Sequence, residues 1–295
     1  MNAGLPRLRA DGVFYVLVLP FAALTILFGL WPIILSVGVS FTASGSALGS
    51  DPRWIGFANY ATVLADEQFR DSLIRTLVYT ALAVAANLAF ALAAAMLLDG
   101  PLLRRGNMLF RLALFLPVVT PDVAGYVVWR WLFDQSFGAV NAALDLLSLP
   151  RFGGLASLDT ATIAILIAEL WHHAGFYAVI FLANLAIRDP ALEEAARVDG
   201  AGAWARFRHV ILPQLRPAIV VNLVYATIQF LKTFTVVVVM TKGGPAESTT
   251  FVSYLAYQLF DQARYGEATA MATILFVIVI AISLLAYAAG ERGRA

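Results

Sequence analysis

The stretch that decides the organisation of this chain runs from Asp189 to Pro217 and reads DPALEEAARVDGAGAWARFRHVILPQLRP. It lies between two long apolar segments, and its first third is rich in acidic and basic residues. Charged side chains are costly in hydrocarbon, so this stretch is expected to lie in water beside a membrane. A short polar insert with a helical pattern of its own is a surface that another protein can bind.

Two short helices are predicted within this stretch. Asp189 is a favourable N-cap and Pro190 suits the first helical position. The charged residues of the first helix are expected in solvent, and its small and apolar residues on the other side. The charged set is Glu193, Glu194 and Arg197, and the other set is Leu192, Ala195 and Ala196. Gly200 and Gly202 are expected to break the helix, because glycine is a poor helix former.

The second predicted helix carries an apolar face formed by Trp204, Phe207 and either Val210 or Ile211. Its basic residues lie off that face; they are Arg206, Arg208 and His209. Pro213 and Pro217 are expected to end this helix. The prediction is a helix-turn-helix that lies along a membrane surface.

This stretch resembles the docking loop of permease subunits of binding-protein-dependent ABC importers, which has the form E-A-A-x3-G-x9-I-x-L-P. The matching residues are Glu194, Ala195, Ala196, Gly200, Leu212 and Pro213, with Val210 in place of isoleucine. The resemblance implies that residues 189–217 bind a cleft of a cytoplasmic ATPase and pass its motion to the membrane spans. It implies docking roles for Glu193, Glu194, Ala195, Ala196, Asp199, Gly200, Trp204, Phe207 and Pro213. The alternative is an interfacial helix pair in another kind of transporter.

The composition is that of a polytopic membrane protein. Of the 295 residues, 61% are hydrophobic and 13% are charged, and the mean hydropathy is +0.80. The net charge of +1 predicts no nucleic-acid partner, and the absence of cysteine excludes disulfide and thiolate chemistry. The first apolar stretch, from about Val13, is too long for a cleaved signal and is expected to be a retained span.

Six segments are long enough to cross a bilayer, which takes about 20 apolar residues. Backbone polar groups in hydrocarbon must bond internally, so these segments are expected to be helices. The predicted fold class is an all-α permease of six transmembrane helices in a single domain, residues 1–295. The segments are Val13–Phe41, Leu73–Leu98, Met108–Phe133, Thr160–Ala186, Pro217–Met240 and Glu267–Gly290.

The positions of Lys and Arg predict the orientation, because cytoplasmic loops carry an excess of both. The set of loops that includes residues 189–217 and both termini holds most of these residues. Both termini and the docking loop are therefore expected in the cytoplasm, with the chain in a bacterial inner membrane.

The third segment is interrupted by Pro117 and Pro121, and Asp122 follows near mid-depth. Proline leaves a carbonyl unpaired in the preceding turn, so Asp122 is expected to cap the restarted helix. The alternative is that the broken helix lines a solute route.

Charged residues also occur in the fourth and fifth segments. Counting from the outer ends at about 1.5 Å per residue places Glu169 and Lys232 at one depth, roughly 13 Å below the outer face. They are candidates for an ion pair, and the alternative is that each finds backbone or water partners. His172 and His173 point about 100° apart on a helix, and no third ligand lies nearby, so no metal site is expected.

Other phrases resemble the same family. Trp129-Arg130-Trp131-Leu132-Phe133 resembles a phrase of sugar-importer permeases, and the spacing of Trp171, Gly175 and Phe176 resembles the family. Thr241-Lys242-Gly243-Gly244-Pro245 resembles a phrase of the MalF-like half of sugar importers. The resemblance implies a MalG-like second permease, cytoplasmic ATP-binding subunits, an extracytoplasmic solute-binding protein and a sugar substrate, all at a lipid membrane. It points to a substrate pathway formed by Glu169, His172, His173, Phe176, Asn222, Gln229, Phe230 and Lys232.

Catalytic motifs are absent from the sequence. There is no G-x4-G-K-[ST] phosphate loop, no H-E-x-x-H and no G-x-S-x-G, so neither an enzyme nor a cofactor is expected. One alternative is the same architecture importing a polyol phosphate or another non-sugar solute. An ion-coupled secondary carrier is disfavoured because no internal repeat is visible, and a membrane enzyme is disfavoured as well.

Overall fold

The computed structural model describes residues 18–43, 53–100 and 107–291, and only the backbone at Asn107 and at residues 289–291. The described residues form helices joined by connections of varied length, with one isolated bridge between Thr42 and Trp54. The predicted all-α class is confirmed. Both termini, whose cytoplasmic location is predicted, and the first five residues of the first predicted span lie outside the described residues.

The helices are numbered in chain order. They are α1 (Val18–Val39), α2 (Ala58–Ala65), α3 (Glu67–Asp99), α4 (Asn107–Val119), α5 (Asp122–Leu132), α6 (Ala139–Leu146), α7 (Ala161–Ala186), α8 (Pro190–Val198), α9 (Ala203–Gln214), α10 (Arg216–Leu231), α11 (Val252–Asp261) and α12 (Tyr265–Glu291). Wider π-helical winding occurs at Thr25–Leu30 in α1, at Phe207–Ile211 in α9 and at Val237–Thr241 after α10.

Within the described residues, α1, α3, α7 and α12 are each long and apolar enough to cross a membrane alone. Two bent pairs raise the number of candidate spans to six if each pair is one span. The pair α4 and α5 is bent by 106°, and the pair α9 and α10 by 69°. The sequence predicted six crossings, the interruption of the third, and a break between the second helix of the docking loop and the fifth segment.

The bend in the third segment follows its prolines. Pro117 lies inside α4, and Pro121 occupies the N-cap of α5 without a side-chain capping bond. Asp122 is the first residue of α5, and its carboxylate contacts His172 instead of the backbone. The prediction that Asp122 caps the restarted helix was therefore wrong, because proline takes the capping position.

The fifth segment is shorter than predicted. Its helix, α10, ends at Leu231, Lys232 follows as the C-cap, and helical winding resumes at residue 235 and continues through Val237–Thr241. The break falls at the one charged residue of this segment and includes Thr233, whose β-branched side chain lowers helix propensity. The prediction of one unbroken helix to Met240 was wrong at this end.

The larger of two compact units comprises Glu67–Leu255 with the residues from Leu275 onward, and the α3–α7 pair lies at its centre. These two helices make the most extensive helix-to-helix contact, and α10 packs on α3 while α4 packs on α7. Small side chains at such contacts let helices approach closely in lipid. The buried alanines are Ala83, Ala91 and Ala95 on α3 and Ala164, Ala168 and Ala178 on α7.

The smaller unit comprises the residues up to Asp66 with Ala256–Ile274. Here Asn59 on α2 fixes the chain that follows α1. Its Nδ2 donates to the carbonyl oxygens of Ser40 at 2.8 Å and Thr42 at 2.7 Å. The buried amide thus closes the connection from α1 to α2.

A substitution at Gly175 tests the packing of α4 on α7. A Cβ at this position would lie 2.2 Å from the carbonyl oxygen of Leu114 on α4. We expect Gly175→Ala to force α4 away from α7 and to cost at least about 1–3 kcal/mol of stability, as overpacking does. Gly38→Ala is the matched control, because a Cβ there meets nothing within 4 Å. Thermal unfolding in detergent measures both; an unchanged melting temperature for Gly175→Ala would contradict this packing.

Candidate solute route and docking loop

Glu169 lies in the middle of α7 and is 4% exposed. Its Oε1 accepts a hydrogen bond of 2.7 Å from the Tyr126 hydroxyl on α5, and its Oε2 lies 3.2 Å from Nε2 of His173. A buried carboxylate is tolerated only with such partners. Glu169 therefore joins α5 to α7 in the interior of the protein.

A second carboxylate–imidazole pair lies beside the first. The Nε2 of His172 is 3.1 Å from Oδ1 of Asp122, and the His172 and His173 rings meet edge to face with centroids 4.8 Å apart. Asp122 and Tyr126 are four residues apart on α5, as are Glu169 and His173 on α7, so each pair shares one helix face. This arrangement forms one polar network between the two helices, which we call the α5–α7 network.

Lys232 is not part of the α5–α7 network. Its side chain is exposed after the end of α10, and none of the ion pairs within the described residues includes it. The predicted pair with Glu169 is therefore wrong. The prediction counted residues along the fourth and fifth segments to estimate the depth of each side chain, and this count assumed that the fifth segment was one continuous helix. The depth of a residue also does not determine the direction in which its side chain points.

The other expected pathway residues lie where α7 meets α10. The His173 ring is 5.8 Å from that of Phe230, and Phe176 is 4.7 Å from Tyr225. Asn222 is fully buried, and its Nδ2 donates to the Tyr177 carbonyl at 3.2 Å. Gln229 is half-buried on α10.

The sequence analysis missed three tyrosines around this region. Tyr126 binds Glu169 directly, while Tyr79 on α3 and Tyr177 on α7 are both buried against Phe230. The spacing of Tyr126 from Asp122 was a usable signal, since residues four apart share a helix face. Nothing local in the sequence indicates that Tyr79 meets the other helices.

An apolar groove of about 470 Å³ lies between α3, α4, α5 and α7. Phe110, Trp129 and Trp171 are among the side chains that line it, and none of the eight expected pathway residues does. Its lining is almost entirely apolar, so it lies apart from the polar residues that the sequence assigns to the solute pathway.

The first helix of the docking loop begins as predicted. Asp189 is its N-cap, and Oδ1 of Asp189 accepts a hydrogen bond of 2.9 Å from the N–H of Ala191. Pro190 occupies the first helical position, where its missing N–H costs nothing. Glu193 lies in the first turn, near the positive end of the helix dipole.

The end of α8 explains the glycine of the motif. The N–H of Ala201 bonds the Ala196 carbonyl at 2.9 Å, and the N–H of Gly200 bonds the Arg197 carbonyl at 3.1 Å. This pair of bonds is the Schellman closure, which places a residue at positive φ just after the helix. Gly200 has a φ of +81°, so glycine is the residue that fits.

Two predictions within the loop were wrong. Glu193 is not fully in solvent, because its side chain is 20% exposed and pairs with Arg188 at 3.4 Å and with Arg197 at 3.8 Å. Pro213 does not end the second helix, because α9 continues to Gln214. This proline starts a new helical turn after the π-helical stretch, where a missing N–H is tolerated.

The docking loop exposes apolar side chains among its charges. Leu192 is 52% exposed, Val198 87% and Trp204 70%. Trp204 packs on half-buried Phe207 with ring centroids 5.4 Å apart. Apolar groups that are exposed on a segment expected in water are typical of a surface that binds another protein. The other expected docking residues that are exposed are Glu194, Ala195, Asp199, Gly200 and Pro213; Ala196 is half-buried.

Comparison with known proteins identifies the family. The family described as "binding-protein-dependent transport system inner membrane component" matches residues 87–293, which include the docking loop. The chain belongs to this family. It is a permease subunit of an ABC importer, and the family and multi-helix membrane fold expected from the sequence are confirmed.

The permease is similar over its length to several named transporters. It is 28% identical over 288 residues to the trehalose/maltose permease MalF of Thermococcus litoralis, covering 98% of this chain and 97% of that one. It is 31% identical over 300 residues to the sn-glycerol-3-phosphate permease UgpA of Yersinia pseudotuberculosis, covering 99% of each. It is 32% identical over 275 residues to the sulfoquinovosyl glycerol permease SmoG of Agrobacterium fabrum, covering 92% of this chain and 89% of that one.

Solved structures have the same fold. A chain of a bacterial ABC transporter involved in import of the acidic polysaccharide alginate superimposes with a TM-score of 0.83 at 25% identity, covering 96% of both chains. A chain of an alginate transporter in complex with an alginate-bound periplasmic protein gives a TM-score of 0.84 at 24% identity and the same coverage. The permease fold therefore extends over nearly the whole chain.

The Tyr126–Glu169 bond is open to a direct test. We expect Tyr126→Phe to lower stability by about 1.5–3 kcal/mol, the usual worth of a hydrogen bond to a charged group. The same change in a Glu169→Gln background is expected to cost less, because the charge is gone. A double-mutant cycle of thermal stability in detergent gives the coupling between the two side chains. Tyr287→Phe, on an exposed tyrosine of α12, is the control; fully additive effects would contradict a direct bond.

Proposed function

We propose that this permease forms half of the pore of an ATP-driven importer for a sugar or sugar derivative. Family membership supports the importer, and relatives named for trehalose/maltose, sulfoquinovosyl glycerol and alginate support the solute class. A MalG-like second permease completes the pore, and an extracytoplasmic binding protein delivers the solute. ATP is hydrolysed in separate cytoplasmic subunits.

The structure of the docking loop is the main support for this proposal. Its first helix is closed at both ends by its own bonds, and it exposes apolar residues beside Glu194. A preorganised helix of this kind loses little conformational entropy when it enters a cleft. The excess of arginine in and around the loop supports a cytoplasmic location for the loop and for both termini.

A short connection joins the docking loop to α7, the helix that carries several residues of the proposed solute route. Only Ile187, Arg188 and Asp189 separate α7 from α8. A displacement of α8 therefore acts directly on α7, which carries Glu169 and the two histidines. Because the α5–α7 network joins α7 to the bent third segment, that displacement also shifts α5. This is the mechanical basis of alternating access in the proposal.

The solute is proposed to contact the region where α7 meets α10. Sugar sites combine aromatic faces with hydrogen-bonding groups. Half-buried Phe176 provides a ring and half-buried Gln229 an amide, whereas Phe230 and Asn222 are fully buried and hold α10 against α7. The imidazoles of the α5–α7 network add polar groups at the same level of α7.

An anionic sugar derivative or polyol phosphate is the second candidate solute. The charge of Glu169 is engaged by Tyr126 and His173, whereas Lys232 is exposed and outside every ion pair of the described residues. A lysine within a membrane segment is costly on a lipid face, so it is expected to face a partner helix or water. The relative named for sn-glycerol-3-phosphate agrees with this candidate.

Lys232 separates the two candidates experimentally. If the solute is an anion, Lys232→Gln is expected to lower its uptake about tenfold, the loss of one partly desolvated charge contact of roughly 1.4 kcal/mol. Binding of neutral and anionic sugars to the cognate binding protein identifies the solute first, and reconstituted uptake then measures the effect. Lys242→Gln, on an exposed lysine beyond the segment, is the control. Equal uptake of an anionic solute by wild type and Lys232→Gln would refute a contact between that solute and Lys232.

The docking role has its own test. We expect Glu194→Lys and Gly200→Asp to abolish uptake and weaken retention of the ATP-binding subunit while membrane insertion persists. The first reverses an exposed charge, and the second places a side chain at positive φ. Gly202→Ala is the matched control, because Gly202 has a φ of −63° and open space around its Cβ position. Normal uptake by both loop variants would refute the docking role.

A further inference from the structure

An ion-paired cluster lies where the docking loop leaves the membrane helices. Nη1 of Arg188 is 2.6 Å from Oδ2 of Asp99, the last residue of α3, and Nη2 is 3.4 Å from Oε2 of Glu193 on α8. The side chains of Arg188, Asp99 and Glu193 are 21%, 30% and 20% exposed. One guanidinium thus bridges carboxylates from two helices in a partly buried position.

The second helix of the loop is attached at the same place. The backbone N–H of Asp189 donates to Oε1 of Gln214 at 3.0 Å, and Nε2 of Gln214 donates to the Val210 carbonyl at 3.2 Å. The end of α9 is therefore held to the connection between α7 and α8. Three helices, α3, α8 and α9, are joined at Arg188 and Asp189.

We propose that Arg188 is a positioning residue that ties the docking loop to α3. This inference rests on the proposed docking function and adds a second route for its motion, since covalent connection alone links the loop only to α7 and α10. A planar guanidinium with several donors holds two carboxylates at fixed directions, which an ammonium does not. Partial burial reduces the screening that weakens exposed surface pairs.

The consequence is that α3 moves with the loop. This helix has 33 residues and is about 50 Å long at 1.5 Å per residue. Near its other end Thr76 accepts a hydrogen bond of 3.0 Å from the N–H of Val252. A displacement of α8 passed through Asp99 therefore reaches the far side of this unit without passing through the α5–α7 network.

Coupling in the complete transporter tests this role. Wild type, Arg188→Gln and Asp99→Asn are reconstituted with the second permease, the ATP-binding subunits and the binding protein. We expect the ATP-binding subunit to be retained in both variants, while ATP hydrolysed per solute moved rises about tenfold, within the usual range of coupling effects. Arg188→Lys is expected to restore coupling only in part.

A control removes an ion pair that involves neither α3 nor the docking loop. Arg151→Gln removes the exposed pair with Asp145 on α6. This variant is expected to couple like wild type. The Asp99→Asn variant decides the outcome if Arg188→Gln does not insert, because it leaves the pair between Arg188 and Glu193 in place.

The outcomes separate the two proposals. If wild type itself does not retain the ATP-binding subunit, the docking function fails. If wild type couples and Asp99→Asn has the same ratio of ATP hydrolysed to solute moved as Arg151→Gln, the role of Arg188 is refuted.

Discussion

The close packing of α3 against α7 is the constraint on which the rest of the larger unit depends. Lipid offers no hydrophobic drive for helices to associate, so contact relies on small side chains that let the backbones approach. Alanines on both helices provide that contact, and α4 and α10 pack on opposite members of the pair. The pair also fixes both candidate sites, because α7 carries the α5–α7 network and its end leads into the docking loop. The end of α3 meets the same loop through Asp99.

Features set by local interactions were predictable from the sequence. The N-cap at Asp189, the proline after it and the glycine that closes α8 are each determined within a few residues. The apolar lengths of the spans were predictable for the same reason, because each helix satisfies its own backbone. Even so, Pro213 shows a limit. A proline can start a helical turn as well as end one, and the π-helical stretch before it leaves no simple pattern in the sequence.

The polar network and the Arg188 cluster were predictable only in part, because they depend on which way helices face. Glu169 was singled out as a costly buried charge, yet its partners are Tyr126 and His173, and the predicted lysine lies beyond the end of α10. Residue counts give depth along a helix but not rotation or bending. The 106° bend after α4 sets the position of α5, and no short-range pattern fixes the size of that angle.

The central claim is that another subunit acts on this permease through the segment between α7 and α10. The chain has no cysteine, so a single Ala195→Cys substitution gives a unique reactive thiol on an exposed site of α8. Cross-linking from this thiol in membranes that contain the complete transporter tests the claim most directly. The account predicts a product between the permease and the ATP-binding subunit, with a yield that changes when ATP is added. A thiol that reacts instead with a membrane-impermeant reagent from outside, with no such product, would contradict it.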